Sequence, residues 1–80
     1  MSPQLQPVRL APGNHDTGAQ LVFVDRSLTA VLVHLSEIHG DDAGMWFLEA
    51  WFGVTSRSDP PTFVSLDEAQ DWIVGELAEV

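Results

Sequence analysis

The sequence predicts an α+β protein: a two-layer sandwich of an antiparallel three- to four-stranded meander sheet (β-β-β-(β)-α) with one C-terminal helix packed on one face. Three observations carry this. Three apolar segments rich in β-branched and aromatic residues follow one another through short links, which is the pattern of sequential antiparallel strands. An amphipathic segment with a capping signal closes the chain. At 80 residues there is room for a single core, so one helix and one small sheet must bury each other.

Residues 1–19 contain Pro3, Pro7, Pro12, Gly13 and Gly18. That density of breakers predicts a mostly irregular N-terminal segment, with at most a short extended piece at Val8–Leu10. Residues 20–80 form the α+β domain. Within it Gln20–Asp25 and Leu28–Leu35 read as strands. Arg26-Ser27 as the hairpin loop pairs Val22 with Val31. That register puts Val22, Val24, Val31, Val33 and Leu35 on one face and Leu21, Phe23, Ala30, Leu32 and His34 on the other.

Met45–Gly53 reads as a strand suited to the centre of a small sheet, and it holds two of the three tryptophans and two of the four phenylalanines. Trp46, Leu48, Ala50 and Phe52 alternate with Met45, Phe47, Glu49 and Trp51. Both faces are apolar apart from Glu49, so this strand needs cover on both sides. The first set is the expected core beneath the helix. A polar connection over 36–44 precedes the strand. Residues 54–61 read as a second loop, and Thr62–Val64 as a short edge strand.

Ser65-Leu-Asp-Glu68 matches a capping box, with Ser65 as N-cap, and Val64 and Ala69 are spaced for a hydrophobic staple. Leu66, Ala69, Ile73, Leu77 and Val80 make one stripe at helical spacing, with Trp72 at its edge.

Charge narrows the function. Twelve acids face three arginines and no lysine, for a net charge of −9. Residues 1–40 carry three acids against two arginines, and residues 41–80 nine acids against one. Phosphate backbones and anionic membranes are held by Lys and Arg, so direct nucleic-acid and membrane binding are disfavoured. Phe23, Phe47 and Trp51 resemble a base-stacking platform only until that missing cationic groove is considered. An acidic surface instead suits a basic protein partner, as an inhibitor or DNA mimic would. No cysteine is present, which removes disulfides and thiolate metal sites. No run approaches the roughly 18 apolar residues of a membrane span, and the N-terminus lacks the basic and apolar regions of a signal peptide. A cytoplasmic protein is expected.

Catalytic chemistry finds little support. The serines are scattered, and nothing ties one to a histidine and an oxyanion donor pair. Glu37, His39, Asp41 and Asp42 are the one set whose chemistry suits a divalent ion. Their spacing matches neither a zinc finger nor a calcium loop, so a solvated loop is the expectation and no cofactor is implied. By strand parity His34 and Glu49 share a face.

The ending Phe63-Val-Ser-Leu-Asp-Glu-Ala-Gln-Asp-Trp-Ile73 resembles the strand-to-helix endings of many small bacterial proteins. The element order is similar in topology to double-stranded-RNA-binding-like folds such as HicB-type antitoxin domains. The basic surface such a resemblance implies is absent.

The expectation is therefore a small, non-enzymatic, bacterial-type interaction or regulatory protein. One helix covers one sheet face. The other face, with Phe23, Leu32, Met45, Phe47 and Trp51, is the expected homodimer interface, because an uncovered apolar set of that size exceeds what soluble monomers usually tolerate. The N-terminal segment, through Leu5, Val8 and Leu10, is the competing cover.

Overall fold

The computed structural model describes residues 2–13, 15–53 and 61–78. Among the described residues five strands run in sheet order β1-β2-β3-β4-β5, every pair antiparallel. They are β1 (Pro3–Arg9), β2 (Gly18–Val24), β3 (Ser27–His34), β4 (Trp46–Trp51) and β5 (Thr62–Phe63). A 3₁₀ segment, Glu37–Asp42, links β3 to β4, and helix α1, Leu66–Ala78, closes the chain. The sandwich of a meander sheet and one C-terminal helix is as the sequence predicts. The loop expected over 54–61 falls, for residues 54–60, outside the described residues, as does Val80.

Residues 3–9 are not irregular but a seven-residue edge strand paired with β2. Leu10 N–H donates to the Thr17 carbonyl at 3.0 Å, and the β1–β2 register runs without a shift. Gln4, Gln6 and Val8 therefore exchange the backbone bonds with β2, while Pro3, Leu5, Pro7 and Arg9 direct their backbone groups off the sheet. Both prolines occupy outward positions, where a missing N–H breaks no ladder bond. The residues that read as strand breakers in fact blunt the free edge.

The β2–β3 register also differs from the expected one. The turn is Asp25-Arg26, with φ of 52° and 70°, so Val24 pairs with Ser27, and a bulge at Val22/Phe23 leads to Val22 opposite Ala30. Positive φ at both central residues gives the strand twist a two-residue hairpin requires. The change in pairing reverses the parity of β3. Ala30 and Leu32 join Val22 and Val24 against the helix, each 5 % exposed or less. Val31 and Val33 turn to the opposite side.

A second bulge lies at Val31/Leu32. Leu32 pairs with Leu48 and Val31 with Ala50, leaving Glu49 as the extra residue. Trp46 and Leu48 keep the expected core side, but beyond the bulge Trp51 takes it and Ala50 leaves it. Phe52, expected in the core, is 62 % exposed. Trp51 meets Trp72 of α1 edge-on at a centroid distance of 5.2 Å, and Phe63 packs on the same indole at 5.6 Å. Gly53 follows where a Cβ would run into the Trp51 indole.

The helix cap forms as expected. Glu68 N–H donates to Ser65 Oγ at 3.1 Å, and the Glu68 carboxylate accepts from Val64 N–H at 2.9 Å, one residue earlier than the usual box. The hydrophobic staple does not form: Val64 is 73 % exposed. Ala69 and Ile73 are fully buried, with Leu66, Trp72 and Leu77 packed beside them. Glu76 is buried too, because its spacing from Ala69 and Ile73 puts it on the inward stripe.

Candidate functional site

The helix lies on one side of the sheet only. By strand alternation, checked against the core on the helix side, the opposite face consists of three rows. Gln4, Phe23 and Leu28 form the row at the β2–β3 turn end. Gln6, Leu21, Val31 and Ala50 form the middle row. Val8, Ala19, Val33, Phe47 and Thr62 form the third. Leu35 and Met45, joined by a 2.9 Å backbone bond, continue it. Helix α1 covers none of these rows, but at the third row Ala19, Val33 and Leu35 are buried, where Asp16 and the 3₁₀ residues His39 and Asp42 line a cavity with Val33, Leu35 and Phe47. Leu21, Phe23, Val31 and Phe47 are half-buried.

Of the five expected interface residues, Phe23, Met45 and Phe47 lie on this open face. Leu32 and Trp51 do not. Leu32 is fully buried and Trp51 packs against the core, both beneath the helix. The two bulges are the reason, since each changes which residues of a strand share a side. Val8, Ala19 and Val31 belong to the open face although the sequence reading did not place them there. The N-terminal segment does not cover it. Its residues extend the sheet sideways as β1, and Leu5 packs on the helix-side core.

One end of the open face is acidic and partly built. Asp16, in the β1–β2 loop, accepts from the Ser36 backbone N–H at 2.8 Å. It also meets His39 Nε2 at 2.9 and 3.0 Å through its two oxygens. This ties the 3₁₀ segment to a loop more than twenty residues earlier. The Ser36 N–H, with the His39 contact assisting, holds the Asp16 carboxyl below its ordinary value of 3.8. Asp16, His39 and Asp42, with Glu49, Thr62 and the apolar floor of Val33, Leu35 and Phe47, line a cavity of about 320 Å³.

The metal candidates do not converge. His39 is engaged by Asp16, and Glu37, Asp41 and Asp42 are exposed along a 3₁₀ segment kinked at Gly40. Among the described residues no three His, Asp or Glu side chains come together as a metal site. His34 and Glu49 do not share a face either. His34 stacks on Trp46 at 4.5 Å on the helix side, while Glu49 lines the cavity on the open side. The Asp16–His39 pairing carried no signal in the sequence, because the two residues sit in separate polar loops with no periodic relation.

Among the described residues no helix is long and apolar enough to cross a membrane. No protein-family profile, curated protein or solved structure shows detectable similarity to the chain.

Proposed function

We propose that this chain is a small, non-enzymatic interaction or regulatory protein that works in the cytoplasm as a homodimer joined through its open sheet face. The observation that supports this reading is the face itself. Leu21, Phe23, Val31, Met45 and Phe47 make an apolar surface backed by a rigid sheet, and the N-terminal segment that competed to cover it is an edge strand instead. Burial of such a surface gains roughly 25 cal/mol per Å², which matters to a chain with so small a core. Edge-to-edge association is disfavoured by Pro3 and Pro7, so the face is the better route to self-association. A net charge of −9 supports a second reading, an acidic inhibitor or DNA mimic that engages a basic protein.

Sedimentation of the wild type and of Phe47→Asp tests the first reading. The expected result is a dimeric wild type and a monomeric, folded or partly unfolded variant. A wild type that remains monomeric at high concentration removes it, and saturable capture of a basic nucleic-acid-binding protein by that monomer would favour the second.

A further inference from the structure

Resting on the homodimer reading, we propose that the two copies pack open face to open face with their strands reversed, so that the Asp25-Arg26 turn of each lies over the acidic end of the other. Charge placement carries this. At one end of the face Asp16, Asp42 and Glu49 line a single cavity together with one histidine, His39, and Glu37 and Asp41 are exposed on the 3₁₀ segment that carries Asp42. Of the three arginines in the chain, Arg9 lies at this end, but its alternation with Leu5 puts it on the helix-covered side of β1. The opposite end of the face is the hairpin turn, whose two residues carry one charge of each sign. Arg26 is exposed there and forms no ion pair among the described residues.

Two two-fold arrangements are open to aligned sheets, whose strands cross at about 30°. An axis along the strands lays acidic end over acidic end and β1 over β5. An axis across the strands lays each acidic end over the partner's turn and each strand over its own copy. Like charges brought together oppose association, so the second arrangement is favoured. The middle row, Gln6, Leu21, Val31 and Ala50, then lies along the axis.

Arg26 also occupies a backbone position, φ 70°, that favours glycine. In the turn, Asp-Gly is the preferred pair. The arginine there works against the local fold, and the partner's acidic end supplies it with a use.

The absence of cysteine makes single-cysteine variants clean probes. Gln6→Cys, at an exposed position, is expected to cross-link to itself through a short bis-maleimide. A mixture of Gln6→Cys with Ala50→Cys is expected to give no mixed product, since β1 and β4 stay about 14 Å apart at three strand spacings. Arg26→Gly is expected to fold at least as well as the wild type, while its dimer dissociation constant rises about tenfold, because symmetry removes two charge contacts at once. A dimer that yields the mixed Gln6–Ala50 product, or an Arg26→Gly dissociation constant equal to that of the wild type, overturns the arrangement and leaves the dimer standing. A monomeric wild type overturns both.

Discussion

Leu32→Ala separates the observed register from the one with Arg26-Ser27 as the loop. In the structure Leu32 is fully buried on the central strand, paired with Leu48 and part of one cluster with Ile73 and Ala69 of the helix. Truncation removes three carbons from a site closed on both sides, by the neighbouring strands and by α1, so the void has little room to collapse. Such substitutions cost about 2–5 kcal/mol. At roughly 0.05–0.15 kcal/mol per residue a chain of this length has a total stability on the order of 4–12 kcal/mol. The variant therefore loses about a sixth of its stability at the least and most of it at the upper end. With a urea slope of about 1 kcal/mol per molar for so small a domain, a loss of 3 kcal/mol moves the midpoint down by about 3 M. Urea titration at fixed protein concentration reads this directly, since Trp46, Trp51 and Trp72 all pack against the core and report on it. If Leu32 instead lay on the open face, the variant would weaken self-association and leave the unfolding of the dissociated chain almost unchanged. A loss below about 1 kcal/mol with an unchanged slope, measured where the chain is monomeric, refutes the register.

Two further outcomes follow from local geometry. Ser65→Ala removes the acceptor for Glu68 N–H and is expected to cost about 1 kcal/mol, seen as a lower denaturation midpoint at constant slope. Asp16 has a carboxyl held below its ordinary value. A depressed value means that its contribution is complete above the unfolded value of 3.8 and is lost as pH falls through the folded one. The stability difference between wild type and Asp16→Asn should accordingly be full above pH 3.8 and shrink in more acidic solution; a gap that widens on acidification contradicts the Ser36 and His39 contacts as its source.

The sequence alone determined what local chemistry determines. Apolar β-branched runs made the strands, because alternating side chains on a pleated surface need little else. Ser65 and Glu68 located the helix start, because a cap is satisfied within four residues. The net charge limited the partners, because it depends on composition and not on fold. Tertiary structure decided the rest. Pro3 and Pro7 read as breakers until β2 supplied a partner for one edge of β1 and left their missing N–H groups on the other. The bulges at Val22/Phe23 and Val31/Leu32 reassigned Leu32 and Trp51 from the open face to the core, since a strand's parity is set by its pairing and one residue of slip reverses it. The Asp16–His39 contact depends on two loops meeting at one end of the sheet, and the spacing of residues along a chain holds no record of which loops will meet.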